Sequence, residues 1–234
     1  MEKIVSIHQP NYIPWSGYFY KISKSDTFIF LDNVAISKQS YFNRVKINDN
    51  NSTCWLTIPL KLKLGMKINQ AFSAQIDWKK RHFSKIYNTY KGTKYFREVW
   101  RKIEEIYDFK SNICVSEANK FMIVKISKIL EYEINFLDSK NIKIKKDSVA
   151  DDRLIDLIIA VNGSKYLSGS GGSKYQNESK FKVNNIDLVY AKNLGKAYIQ
   201  NAEEFHQGLS IIDIFFRIGF LNTKKYIESN FILP

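Results

Sequence analysis

A chain of 234 residues with 44% hydrophobic and 15% aromatic side chains can bury a sizeable core, which excludes disorder as its main state. Its longest apolar runs, residues 154–161 and 211–216, are interrupted by Asp156 and Asp213 and fall well short of the roughly 20 residues a membrane-spanning helix needs. The formal net charge of +13 leaves nucleic acid, an anionic membrane surface or a phosphate-bearing small molecule as partners; the plainer reading is a solvated basic face, because the lysines are dispersed among acidic residues.

In chain order, strands are expected at residues 4–7, 27–31, 44–47, 55–60 and 67–74, with a short helix over 18–24 between the first two. Helical spacing then takes over. Asp77 reads as the N-cap of a helix ending before Gly92, a second helix starts near Thr93, and a third starts near Ser111. The last hundred residues alternate again. A strand at 134–137, a helix at 152–161 and a short strand at 165–167 lead into a Gly/Ser loop. Strands at 186–190 and 197–199 and a helix at 210–219 capped by Ser210 complete the chain. This order predicts an α/β fold, a Rossmann-like parallel or mixed sheet with a helical lobe inserted at about 77–132, the whole of 1–234 forming one domain. No charged segment followed by an apolar one opens the chain, so a cytoplasmic protein is expected, in which Cys54 and Cys114, lacking metal spacing, are buried thiols.

The densest chemistry lies where the first strand runs into His8-Gln9-Pro10-Asn11-Tyr12-Ile13-Pro14-Trp15. Two prolines stiffen this loop. His8, Gln9, Asn11, Tyr12 and Trp15 are thereby held at a strand end, where α/β sheets bind ligands; the alternative is a rigid turn whose aromatics pack inward. His8 is the histidine placed for general acid/base work, whereas His82 reads as core and His206 as a loop residue. Three histidines so far apart carry no metal signature.

Asp32, followed by Asn33 at the second strand's end, fits a ribose, a sugar hydroxyl or Mg²⁺, or merely caps the strand. Asn43-Arg44 offers a planar clamp for phosphate or carboxylate, or is an ordinary surface pair. Ser168-Gly169-Ser170-Gly171-Gly172-Ser173, with Lys174 and Tyr175 just beyond, follows a strand, as a phosphate cradle does. It matches neither a Walker A nor a dinucleotide fingerprint, and a flexible surface loop is the other reading. Tyr198 and Gln200, alternating on a strand, share one face suited to a sugar. Asp213, one turn into the final helix, reads as exposed.

His8-Gln9-Pro10-x-Tyr12-x-Pro14-Trp15-x-Gly17-Tyr18-Phe19-x-Lys21-Ile22, followed by Ser25-Asp26 and a strand ending in Asp32, resembles the opening of the WbqC-like family. These are bacterial proteins encoded mostly in O-antigen and other surface-polysaccharide clusters. The likeness continues at Asn43-Arg44, 55–59, 152–154, 166–169, Gly172, Tyr175, 198–200, Phe205 and 209–213. It implies transfer of glycine onto a polysaccharide sugar, an amide forming on an amino-sugar nucleotide. On that reading His8 manages the amine proton, Arg44 clamps a carboxylate or phosphate, the 168–174 loop holds nucleotide phosphates, and Tyr198 and Gln200 contact the sugar. The donor is then either an adenylate made in place with ATP and Mg²⁺ or an aminoacyl-tRNA. A non-enzymatic sugar- or nucleic-acid-binding accessory protein of the same pathway is the alternative. The opening also resembles nucleotidylyltransferase-type Rossmann folds. Their His-x-Gly-His element falls here on Trp15-Ser16-Gly17-Tyr18, without its histidines, and His8 and Lys174 substitute only in part.

Overall fold

The β-branched residues of Ile4-Val5-Ser6-Ile7-His8 favour an extended chain, and burial of its three central residues makes Ile4–His8 a strand covered on both faces, from which the fold grows outward. The computed structural model describes residues 2–37, 40–49, 51–110, 112–145, 147–200 and 202–233. β1 (Ile4–His8) leads through α1 (Ser16–Ser23) to β2 (Thr27–Phe30), which pairs parallel to it. A hairpin of β3 (Arg44–Asp49) and β4 (Ser52–Thr57) follows, then the helices α2 (Trp78–Tyr90), α3 (Phe96–Ile106) and α4 (Val115–Ile129). β5 (Asn135–Asp138) adds parallel to β2. The chain then returns through α5 (Ala150–Ala160) to β6 (Lys165–Gly169), on the other side of β1. α6 (Glu178–Val183) and β7 (Asp187–Asn193) extend that side; α7 (Ile211–Asn230) and β8 (Phe231–Ile232), antiparallel to β7, finish it. The strand order β5-β2-β1-β6-β7-β8 is that of a Rossmann-like, doubly wound sheet, mixed only through β8.

Two apolar layers sandwich the sheet. Val5, Ile7 and Ile29 pack with Ile155, Ile158 and Phe181 of α5 and α6. Phe28, Phe30 and Leu167 pack on the other face with α1, α7 and the buried stripe of α2–α4. That stripe includes a hydrogen-bonded relay: Tyr107 donates to Tyr12, Tyr12 to His82 Nδ1 (2.6 Å), and His82 Nε2–H to the Thr57 carbonyl (3.2 Å). Burial holds His82 near a pKa of about 4, neutral as the relay requires.

Several sequence expectations shift. Residues 67–74 form no strand; a single 3₁₀ turn at Ile68–Gln70 and isolated bridges tie this loop to its neighbours. Residues 197–199 also form no strand, because Ile199 is exposed and offers no face to bury. Asp77 makes no side-chain cap, and Ser210 spends its hydroxyl on the Ile13 carbonyl (2.7 Å) rather than on α7. α7 runs eleven residues past its expected end by kinking at Gly219, where φ is +77° and a Cβ would meet the Tyr95 ring at 2.9 Å. The expected start of the third helix, Ser111, lies outside the described residues. Both cysteines are free and half-buried rather than enclosed.

Candidate functional site

β1 and β6 lie side by side, but the chain leaves them in opposite directions, so a crevice opens at their carboxyl ends. It measures about 340 Å³. Its walls are His8 from β1, Trp15 and Lys21 from the entry to α1 and from α1 itself, the 168–172 turn after β6, Tyr175, and Asn193 at the end of β7.

Lys21 is the group sequence reasoning passed over. It is 3% exposed, with its Nζ 5.9 Å from the Tyr18 ring and 6.0 Å from Phe28. Among the described residues no carboxylate pairs with it, and none lines the cleft. Burial therefore lowers its pKa to about 7, which makes the amine a base, nucleophile or switchable cation at physiological pH. His8 stands beside it, edge-on to Tyr18 (4.8 Å) and Trp15 (6.0 Å). Burial, reinforced by the Lys21 charge, lowers the His8 pKa to about 3. His8 Nδ1–H donates to the Gln9 carbonyl at 3.0 Å, leaving Nε2 as an acceptor. His8 is thus a neutral hydrogen-bonding group beside the Lys21 amine.

The expected Gly/Ser loop is a 3₁₀ turn, Ser170–Lys174, closed tightly at its base. A Cβ on Gly172 would lie 2.4 Å from both Ser168 Oγ and Gln176 Oε1, so any larger residue would push those two side chains aside. A Cβ on Gly169 or Gly171 would meet nothing; there the missing side chain bares the backbone along the cleft. Ser168 is buried in the same wall, and Tyr175 stands exposed at the rim. Lys174 is exposed and not part of the lining.

The remaining predicted residues lie elsewhere. Asp32 is fully buried in an ion cluster with Lys120 (2.9 Å) and Ser116 (3.0 Å). Arg44 lies over the Trp55 ring on the hairpin, and Asn43 donates to the Ile58 carbonyl (2.9 Å). Tyr12 belongs to the core relay, Asn11 is buried, and half-buried Gln9 meets the site through its carbonyl, which also accepts from Tyr18 Oη (3.0 Å). Tyr198 borders a small neighbouring cavity that shares Trp15 and Asn193 with the cleft, and donates to Asp213 at 2.6 Å. Gln200 is taken up by the backbone of His206. Asp213 is buried, not exposed. Among the described residues no three His, Cys, Asp or Glu side chains gather as a metal site, and no helix is long and apolar enough to cross a membrane.

Sheet order and cleft together define a Rossmann-like α/β protein with its crevice at the topological switch point. The model of the WbqC-like protein family matches residues 9–225, and the chain belongs to that family. It is also similar to the uncharacterized protein Rv1507c of Mycobacterium tuberculosis, with 27% identity over 220 residues, 93% of this chain and 94% of the relative. No solved structure matches it.

Proposed function

We propose that the protein is an aminoacyl transferase that joins glycine through an amide to an amino-sugar nucleotide in O-antigen or related surface-polysaccharide synthesis, with the β1–β6 cleft as its active site. The observation that carries this reading is Lys21, an amine near neutrality in a switch-point cleft that supplies no counter-charge. Burying such a group without a partner is costly, and a merely structural lysine gains nothing from it.

In the reaction the sugar amine attacks the carbonyl carbon of an activated glycine. The N–C bond forms, and the bond from that carbon to the activating oxygen breaks with its electron pair. Neutral Lys21 takes the amine's proton and, once charged, faces the departing oxygen. Nε2 of neutral His8 accepts a hydrogen bond from the incoming amine. Ser168 and the bare backbone at Gly169 and Gly171 donate to phosphate oxygens. If the activated donor is an adenylate, the same turn would hold the phosphates of ATP, with Mg²⁺ carried on those phosphates, and ATP would supply the carboxylate activation, leaving Lys21 unpaired for the proton transfer. Asp32, Arg44 and Gln200 have no part in this cleft.

The test supplies labelled glycine either with ATP and Mg²⁺ or as glycyl-tRNA, together with a panel of nucleotide-linked amino sugars. A labelled amide product is expected, with Lys21→Met slower by about a hundredfold or more. No product from either donor, or full rate in Lys21→Met, sinks the assignment.

A further inference from the structure

We propose that the outer face of the β3–β4 hairpin is a stacking platform for the single-stranded 3′ end of an RNA, so that glycine arrives as an aminoacyl ester on tRNA; the donor role rests on the transfer reading above. The hairpin buries Val45, Ile47 and Leu56 on one side and turns Arg44, Lys46 and Trp55 to the other. Lys46 and Trp55 are opposite one another in the register. The Arg44 guanidinium lies 4.4 Å from the Trp55 ring centroid and the Lys46 ammonium 5.3 Å from it. Even beneath two cations Trp55 is 40% exposed, and Tyr41 beside it is 42% exposed.

These rings are continuous with the cleft. Trp55 is 5.9 Å from Tyr41, and Tyr41 is 5.7 Å from Trp15, which lines the cleft beside His8. A row of partly exposed aromatics flanked by cations is the combination that holds single-stranded nucleic acid: bases stack on the rings while cations follow the phosphates. One nucleotide sugar carries one base, and from the cleft it reaches Trp15; the two rings beyond serve a chain of successive bases. A blunt duplex keeps its bases inside and cannot use them. A neutral glycan has no use for two cations over the outermost ring.

The transfer balances without a further reagent. The sugar amine attacks the glycyl ester carbonyl, the C–N bond forms, and the C–O bond to the terminal ribose breaks. The ribose oxygen leaves with the electron pair and receives the amine's proton through Lys21. No ATP is consumed in this step.

Fluorescence anisotropy with a short labelled RNA strand ending in CCA and carrying no aminoacyl group tests the platform independently of any transfer. The strand is expected to bind more tightly than a blunt duplex of the same sequence. Trp55→Ala should weaken it by about tenfold, while Trp55→Phe, which keeps a stacking ring and controls for folding, retains most of the affinity. Lys46→Ala should flatten the slope of log affinity against log salt by about 0.7. Equal binding of strand and duplex, or an unchanged affinity in Trp55→Ala, overturns the proposal. So does a Trp55-dependent affinity for free nucleotide sugar without RNA binding. Glycine transfer from ATP in the absence of RNA binding leaves the enzyme reading standing and removes the RNA donor. RNA binding with no transfer from any donor keeps the platform and overturns its donor role.

Discussion

Lys21 and Lys120 are the same side chain at nearly the same depth, 3% and 6% exposed, and the protein treats them in opposite ways. Lys120 on α4 meets Asp32 at 2.9 Å, Glu117 at 2.8 Å and Asp138 at 2.9 Å. Burial works against its charge, but the hydrogen bonds to those carboxylates outweigh burial and raise its pKa. Lys21 on α1 meets aromatic rings and an open cleft, and burial alone lowers its pKa to about 7. A buried charge with its counter-charges fixes an architecture; one without them is held ready for a ligand that brings the missing charge. The contrast also explains Asp32: the strand-end carboxylate that suited a ribose, a sugar hydroxyl or Mg²⁺ is the fully buried anchor of the Lys120 cluster.

The largest test of this contrast is Lys120→Met. It strands Asp32 without its cation and should cost about 3–5 kcal/mol in urea or guanidinium unfolding. A loss below about 1 kcal/mol would mean that the remaining Ser116 hydrogen bond suffices to hold Asp32 and that the Lys120 charge is not what fixes it. Lys21→Met should go the other way and stabilise the protein by a few kcal/mol at pH 6, since the displacement from 10.5 to about 7 corresponds to at most about 5 kcal/mol at about 1.4 kcal/mol per unit. The sign follows from linkage. The folded pKa of Lys21 lies below its unfolded value, so its penalty is complete below about pH 7 and is relieved as pH rises towards about 10. The advantage of Lys21→Met over the parent should shrink across that window. Lys120, raised when folded, contributes fully below its unfolded pKa and loses that contribution only as pH climbs through the higher folded value.

An anion entering the cleft should supply Lys21's missing partner and raise its pKa. Pyrophosphate binding at about pH 8, where most Lys21 amines are neutral, should therefore take up nearly one proton, and at about pH 6 almost none. Calorimetry in buffers of different ionisation enthalpy measures this directly. Uptake that persists in Lys21→Met would transfer the effect to another group and undo the contrast.

The sheet and most helices were legible because their signals are local: alternating apolar runs at β1 and β2, and helical spacing through 78–90. Lys21 was legible too, in a subtler way. It sits in Phe19-Tyr20-Lys21-Ile22, with Gly17, Tyr18, Lys24 and Ser25 at its helical neighbours and no acid to pair with, whereas Lys120 has Glu117 one turn before it. In a lysine-rich chain that difference is easily read as background. Asp32 was not legible, because its partners Ser116 and Lys120 lie more than eighty residues away. The strand expected at 197–199, on which Tyr198 and Gln200 alternate, failed for a different reason. Their alternation imitates a strand, but it comes from two side chains reaching inward to Asp213 and to the His206 backbone.

Tyr198 gives the smallest and most discriminating test, because it borders the cavity next to the cleft and yet is bonded as a structural group. Asp213 accepts from Tyr198 (2.6 Å) and Tyr90 (2.8 Å), with the Arg217 Nε at 3.9 Å. Burial raises the Asp213 pKa, and the two tyrosine hydroxyls oppose that rise. Tyr198→Phe leaves Tyr90 in place and should cost about 1 kcal/mol. Losing one donor lets the folded pKa of Asp213 climb further above its unfolded value. Stability is then intact below about pH 4 and falls as pH rises through the folded pKa, so the deficit should be larger near neutrality than in acid. If Tyr198 serves Asp213 alone, KM for the sugar nucleotide stays put while this pH-dependent deficit appears. A raised KM with unaltered stability would instead move Tyr198 from the scaffold to the substrate, and the cleft would then extend past Trp15 into the smaller cavity.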